Sequence, residues 1–469
     1  MKNSMRYYDV AIIGAGPAGL FTAYYILNNS KNATVLLIDK GPEARKRICY
    51  GNCQLCPVRE QCNVLCGIGG SGLFSDGKLV LDLHSGGKLD AISTLTEAEK
   101  TRLTNYIVAT LKKYDGVSKS GPHMSLEQQK VWQRQFEHQG LSIRHYDVLH
   151  MGTENLRHIT TNFMNELLQN PRFTMKTNCE IMDVCGGKNQ KNILYADNDE
   201  KFEAANVVFS IGKTGSGWLK RLFLREKIQF LDTKTYIGVR LEASHDLIAR
   251  LFEYSFDPKI WKFYGEKKVK THCFCRHGDI ICSNYMGFSV IGGQTRFTEN
   301  NNVVPERLSG QSNFNILVST EADKNRILKI LTEFKNINPN GGVVQGLSDF
   351  LRLETRERAV NSDISERYKW GDIREILDGL DNAGEMISDF LIRLGKIIPG
   401  VMNGDNLIYA PALEWFMDSV KVNQSMETAH RGWFAVGDGA GLSQGIVHAA
   451  ATGIIAANEI CLRVEEKEC

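Results

Sequence analysis

The sequence has few unbroken apolar runs: stretches such as VAIIGAGPAGL are broken by glycines and read as too short to span a bilayer. It has almost no net charge, +2 from 56 basic and 54 acidic residues, which argues against a dedicated nucleic-acid or anionic-membrane surface. Its first residues show no basic region followed by an apolar core and a cleavage site, so no secretory leader is visible. No internal repeat or low-complexity linker appears. What is present is an ordinary globular balance, 42% apolar and 23% charged. The 469 residues suffice for two or three domains, or for one composite domain with an insertion. A cytoplasmic protein with reduced thiols is expected. There, clustered cysteines bind metal or do redox work more often than they staple a fold.

The first chemistry-bearing pattern is YYDVAIIGAGPAGLFTAYYILNNS, an apolar strand passing into an amphipathic helix. Gly14, Gly16 and Gly19 stand between them in G-x-G-x-x-G spacing. Gly14 permits the tight turn, Gly16 lets backbone approach a pyrophosphate, and Gly19 lets the helix pack closely on the strand. The helix N-terminus aims N–H groups and a positive dipole end at the phosphates. A second strand, ATVLLIDK, ends in Asp39, where a carboxylate can accept from a ribose hydroxyl. Strand, glycines, helix, strand and terminal acid in this order predict a dinucleotide site.

Near the C-terminus, GWFAVGDGAGLSQGIVHAAATGIIAANEIC reads as a short strand, a turn at Gly437, Asp438 and Gly439, and a helix of small residues. This resembles the second FAD motif of the large flavoproteins with two dinucleotide-binding domains. The resemblance implies FAD as the cofactor, Asp438 on its ribityl chain, and both chain ends meeting around it. A third segment, ANVVFSIGKTGSGWLK, is a strand running into Gly212, Gly215 and Gly217. It is similar to the crossover that returns the chain to the cofactor domain in those proteins. Its G-x-x-G-x-G order, with no strand and terminal acid following, predicts no separate nicotinamide-binding domain.

The stretch CGIGGSGLFSDGKLVLD (residues 66–82), with SIGKTGSGW, TYIGVRLE (residues 235–242) and GDGAG, resembles the uncharacterised FAD-dependent dehydrogenases of prokaryotes, often described as NAD(FAD)-utilising. The resemblance implies an oxidoreductase with bound FAD, a small-molecule substrate and NAD(P)H as a candidate co-substrate. It also implies that the loop of Gly69, Gly70, Ser71 and Gly72 runs beside the isoalloxazine. A loop of packing glycines is the competing reading. The expected fold class is α/β: a Rossmann-like FAD-binding domain, discontinuous in sequence, with an inserted β-rich α+β substrate domain.

Five cysteines crowd CYGNCQLCPVREQCNVLC, in the order Cys49, Cys53, Cys56, Cys62, Cys66. Short separations with an internal C-x-x-C let four sulfurs converge on a loop, so Cys49, Cys53, Cys56 and Cys62 are candidate ligands of a [4Fe–4S] cluster or of zinc, with Cys66 an alternative fourth. A redox dithiol acting on the flavin and plain structural thiols are the competing readings. Arg45, Lys46 and Arg47 form a cationic flank that would lower thiol pKa values. A cluster here could relay electrons to FAD or to a redox partner protein.

A second group, HCFCRHGDIIC, reads as a hairpin turning at RHGD, with Cys273 and Cys275 on one strand face, toward the substrate or the core. Candidate catalytic residues are Lys78, His448, Cys273 and Cys275, with Asp76 and Glu414 as further acids. The segments FTMKTNCEIMDV and KNILYAD read as strands of a small meander ending at the crossover. The expected domains are residues 1–227 (with a helical excursion at about 95–145), 228–345 as the insertion, and 346–469 as the return. The runs KFYGEKKVKTH and KRLFLREK are basic with interleaved aromatics, so a phosphate surface, and an RNA-linked flavoprotein, is the alternative function.

Overall fold

The run VAII closes the first strand, Arg6–Ile13, and is buried throughout. A strand buried this way needs neighbours on both edges and cover on both faces. The computed structural model, which describes residues 5–48, 61–75, 77–114, 119–186, 191–295, 310–322, 324–352, 367–414 and 418–466, supplies them. Arg6–Ile13 lies parallel to Val35–Ile38 on one side and to Lys201–Phe209 on the other. Phe173–Lys176 extends the sheet beyond Val35–Ile38, and Trp433–Ala435 pairs in parallel with the far half of Lys201–Phe209. The fold is α/β, and its parallel sheet is built from three distant parts of the chain.

The near half of Lys201–Phe209 pairs antiparallel with Asn192–Ala196, which pairs with Ile181–Gly186. This is the expected meander, with one change. Phe173–Lys176 is not a meander strand but an edge of the parallel sheet, because its register is set by Val35–Ile38.

Both chain ends meet on this sheet. Helix Pro17–Asn29 packs against the long helix Ile446–Glu466. Their approach needs a glycine: a Cβ at Gly453 would sit 2.2 Å from the Ala18 carbonyl oxygen. The Thr22 hydroxyl donates to the Ala18 carbonyl at 2.8 Å and to the Gly453 carbonyl at 3.1 Å, joining the helices. Contrary to the expectation from sequence, Ile446–Glu466 is long and apolar enough to cross a membrane by length and composition alone, because its small residues keep an apolar helix running past its one glycine; two-thirds (67%) of its apolar window is buried in this core.

A second core lies on a mixed sheet in the order Tyr368–Trp370, Gly342–Gly346, Leu407–Glu414, Thr235–Ser244, Gln311–Thr320, Lys267–Cys275, Lys259–Tyr264 and Ser142–Arg144. Helices Lys324–Ile337 and Ala383–Gly395 bury Ile327, Phe334, Phe390 and Leu394 in it. This body is larger than an insertion at 228–345. Trp132, Phe136 and Ile143, from the expected helical excursion, belong to its core, as do Phe350, Leu391 and Ile408. The boundary expected at 346 thus falls at the end of one of its strands, and Ser419–Val420 is the first strand after it that pairs with Phe230–Leu231. Apolar periodicity marks a buried helix face but not which core buries it.

The expected RHGD hairpin does not form. Gly278–Tyr285 pairs with Phe288–Thr295 in its own two-stranded sheet, while Lys267–Cys275 pairs with Gln311–Thr320 and Lys259–Tyr264. His277, at φ 48°, turns the chain out of the larger sheet.

Candidate functional site

The two bodies enclose a cavity of about 610 Å³. One wall comes from the parallel sheet. Gly14 has φ 103°, and a Cβ there would lie 2.6 Å from the Ser210 carbonyl oxygen, so the first turn is pressed onto the crossover. The Ser210 hydroxyl donates to the Gly14 carbonyl at 2.6 Å. Gly16 is different: a Cβ there would meet only Gly70 Cα, at 3.8 Å, and it borders the cavity. Helix Pro17–Asn29 carries no side-chain cap, so its first N–H groups remain for a ligand.

Asp39 lines the cavity, but its carboxylate also braces the turn. One oxygen accepts from the Ala15 N–H and the other from the Gly41 N–H, both at 2.8 Å. Burial pushes its pKa up, and the backbone donors and Arg47 oppose that. A carboxylate offers about four acceptor sites, and Ala15, Gly41 and Gly67 are the backbone donors acting on it, so bracing and ribose recognition are compatible.

The glycine loop lies against this turn. The Gly69 N–H donates to the Ala15 carbonyl at 2.7 Å, and a Cβ on Gly70 would lie 3.0 Å from Gly16 Cα. Gly67, Gly69 and Gly70 have φ of 109°, 90° and 58°, a run that L side chains rarely adopt. Arg47 holds it. Its guanidinium, fully buried, donates to the carbonyls of Asn63 (2.9 Å), Val64 (3.0 Å), Ile68 (2.7 Å) and Gly70 (2.8 Å). Arg47 thus braces the loop while lying within electrostatic reach of Cys66 and Cys62. Burial lowers its own pKa to about 10, and the Cys66 thiol beside the loop is pushed up by burial, not down.

Of the predicted cofactor residues, Gly14, Gly16, Asp39, Gly70, Ser71, Gly72, Gly212, Gly437 and Asp438 border the cavity. Gly19, Gly69 and Gly439 do not; they are packing glycines. A Cβ on Gly19 would lie 2.0 Å from the Gly14 carbonyl oxygen, one on Gly439 2.1 Å from the Ile211 carbonyl oxygen, and one on Gly69 would press on Thr160 and Leu73. At Gly212 a Cβ would meet nothing within 4 Å. Asp438 is half-buried; desolvation raises its pKa against the pull of Lys213, and it accepts from the Ser443 hydroxyl at 2.8 Å.

The opposite wall is charged and comes from the second sheet. Asp257 accepts from the Phe274 N–H at 3.0 Å, from Lys259 Nζ at 2.7 Å and from the Tyr146 hydroxyl at 3.1 Å. Burial would raise its pKa, but Lys259, Lys78 and His272 outweigh that and hold it well below the usual carboxylate range. Glu414 is buried and accepts from Lys270 Nζ at 2.6 Å. Burial again pushes up, and Lys270 and His272 bring the pKa down to about 2. Its other oxygen, Oε2, has no hydrogen-bond donor among the described residues and lies 3.7 Å from His272 Nδ1. His272, 24% exposed, has its pKa lowered to about 3 by burial, against the pull of Glu414. It is therefore a neutral imidazole at neutral pH, with Nε2 3.4 Å from the Gln444 amide nitrogen of the other body.

The predicted catalytic residues divide. Lys78 borders the cavity and donates to the Phe274 carbonyl. His448 does not border it. It is 1% exposed, and Nε2 lies 2.9 Å from the Leu83 carbonyl oxygen, which pins the loop at residues 83–87 to the C-terminal helix. Cys273 and Cys275 do not share a face. A bulge between His272 and Cys275, with Cys273 at φ 54°, breaks the alternation. Arg240, fully buried on strand Thr235–Ser244 of the same sheet, reaches the bulge. It donates to Asn313 Oδ1 (2.6 Å), Asn315 Oδ1 (2.8 Å), the Cys273 carbonyl (2.9 Å) and Cys275 Sγ (3.1 Å). Cys273 borders the cavity; Cys275 is buried against Arg240.

Cys49, Cys53, Cys56 and Asp76 lie outside the described residues. Cys62 is half-buried, and Cys66 Sγ lies 3.4 Å from Thr214 Oγ1. Among the described residues no group of three His, Cys, Asp or Glu side chains is arranged to hold a metal.

No family model matches the chain. An uncharacterised protein of Clostridium beijerinckii is 23% identical over 487 aligned positions, covering 96% of this chain and 80% of its own. Among solved structures, the flavoprotein/dehydrogenase from Cytophaga hutchinsonii has a TM-score of 0.43 at 9% identity, over 98% of this chain and 79% of that one. A geranylgeranyl bacteriochlorophyll reductase-like protein from Thermoplasma acidophilum has 0.43 at 13%, over 99% and 80%. Glycine oxidase from Geobacillus kaustophilus has 0.39 at 11%, over 97% and 95%. These overall likenesses are distant, and the chemistry of the site rests on its own geometry.

Sequence reasoning did not single out Asp257, Lys259, Lys270, His272 or Gln444 as site residues. A signal was present in KKVKTHC: on a strand, Lys268, Lys270 and His272 fall on one face.

Proposed function

We propose that the chain is an FAD-dependent oxidoreductase acting on an organic small molecule. One observation carries the reading. A single cavity runs from the N-terminal glycine turn, past the crossover, to the turn at Gly437 and Asp438, and ends against a charged wall from a different body. The residues fit the cofactor: Gly16 and Gly212 leave room where a Cβ would intrude, and an uncapped helix start faces the same groove. Asp39 would hold the adenosine ribose, Gly14, Gly16 and the helix start the pyrophosphate, and Gly70–Gly72 and Asp438 the ribityl and flavin end. When bound, FAD supplies two-electron transfer, and the protein supplies orientation, electrostatics and proton handling. Here the neutral His272 can exchange a proton at Nε2, while Lys78, Asp257 and Lys259 set the field beside it.

The test is identification of the chromophore. Protein purified without added cofactor should release FAD on heat denaturation, seen by absorbance and mass spectrometry. A folded sample without flavin rejects the reading. The finer expectations are separate proposals. An iron–sulfur site at Cys49, Cys53, Cys56 and Cys62 is supported by its place in the chain, since Leu65 and Cys66 border the cavity just after it. Iron and acid-labile sulfide in anaerobically purified protein test it. NAD(P)H as electron donor is tested by anaerobic bleaching of the flavin with NADH and NADPH; bleaching by neither leaves a redox partner protein as the source.

A further inference from the structure

The basic run KFYGEKKVKTH reads from sequence as a phosphate surface; the structure turns alternate residues of it, and of the KIW before it, inward. Strands Lys259–Tyr264 and Lys267–Cys275 pair so that Trp261 lies opposite Lys270 and Phe263 opposite Lys268. Lys259 lies opposite Arg144 on the next strand. Residues opposite each other share a sheet face, and Arg144, Lys259, Trp261, Lys268, Lys270 and His272 all border the cavity. The alternate residues turn to the helices: Tyr264 donates to Asp389 at 2.6 Å and Lys267 pairs with Asp381 at 3.0 Å.

The inward face is not electrically balanced. Arg144 pairs with Asp82 at 2.7 Å, Lys259 with Asp257 at 2.7 Å and Lys270 with Glu414 at 2.6 Å. Lys268 has no carboxylate partner among the described residues; its Nζ sits 4.9 Å from the Trp261 ring centroid. Lys78 borders the same cavity and acts on Asp257, so it is not surplus. A concave, partly buried wall with Lys268 left over from its ion pairs draws in an anion. The FAD pyrophosphate does not supply that anion, because its groove is the glycine turn and helix start of the other body. Building on the flavoenzyme reading, we propose that this sheet face binds the anionic group of the substrate, an organic carboxylate, with Lys268 as its principal charge partner and Trp261 beside it.

The experiment is calorimetric titration of the FAD-loaded protein with benzoate and succinate against their neutral amides, benzamide and succinamide. The acids should bind more tightly than the amides, and more weakly as salt is added. Lys268→Gln should weaken acid binding about tenfold without changing amide binding, and Lys268→Arg should restore it. Acids that bind no better than amides, or a Lys268→Gln variant with unchanged acid affinity, overturn the proposal. So does retention of an RNA pool that Lys268→Gln abolishes while neither acid binds. Failure of the flavoenzyme reading is distinguishable, because it shows as a folded sample without flavin, before any acid is added.

Discussion

The two walls of the cavity work by opposite means. The wall of the parallel sheet is made by leaving side chains out: Gly14, Gly16, Gly70, Gly212 and Gly437 present backbone to the groove. The wall of the second sheet crowds ionisable side chains together and neutralises them in pairs, Asp257 with Lys259 and Glu414 with Lys270. A backbone wall fits one rigid shape and tolerates no added atom where chain crosses chain. A side-chain wall carries charge and proton transfer, and pays with desolvation that each pairing only partly offsets. The first suits an invariable cofactor, the second a substrate.

The sharpest test of the contrast sits within the glycine wall. Gly19→Ala puts a methyl 2.0 Å from a backbone carbonyl and should cost about 3 kcal/mol or more, visible as a large fall in melting temperature with loss of flavin. Gly212→Ala, with nothing within 4 Å, should fold normally and lose flavin affinity alone. Equal stability losses for the two would break the distinction between packing and cavity glycines.

On the charged wall, Glu414→Leu strands Lys270 and should destabilise by about 3 kcal/mol in denaturant melts. A loss under about 1 kcal/mol would mean the pair is hydrated rather than buried.

Acid should act on the same wall. His272 is depressed from its ordinary 6.5 to about 3, so below 6.5 the unfolded chain takes up a proton that the folded chain refuses. Stability is then full above pH 6.5 and declines as pH falls. Glu414, ordinarily 4.5 and here about 2, adds a decline of the same sign below 4.5. His272→Gln should flatten part of the slope between 6.5 and 4.5, with His245, lowered to about 4 chiefly by burial, and His448, also lowered by burial, keeping part of the rest. An unchanged slope would remove His272 from the buried set.

The smallest effect is expected at His448. His448→Gln should cost about 1 kcal/mol through its bond to Leu83 and leave the flavin spectrum unchanged. A displaced flavin band would return His448 to the site.

The cofactor wall was readable in one dimension because its requirements are local. A turn, a missing Cβ and a helix start follow one another within a few residues, so Gly14 and Gly16 could be found from spacing, and Gly212 from the resemblance of its segment to a flavoprotein crossover. The β-meander and the crossover were legible for the same reason. The charged wall was not. Asp257 has meaning only once Tyr146, Lys259 and the Phe274 N–H surround it, and Cys273 parts from Cys275 at a bulge that Arg240, distant in sequence, bonds to.

Residue order alone thus established a mononucleotide-type βαβ start, a matching glycine turn near the other end, and the expectation that the two converge. Tertiary structure alone decided which core claims residues 126–144, 347–352 and 367–414, that His448 fastens a loop, and that alternate lysines of a basic run face inward. The physical reason is range. Steric rules of turns act between neighbours in the chain, whereas burial, ion pairing and sheet register are settled by whichever distant segment arrives alongside.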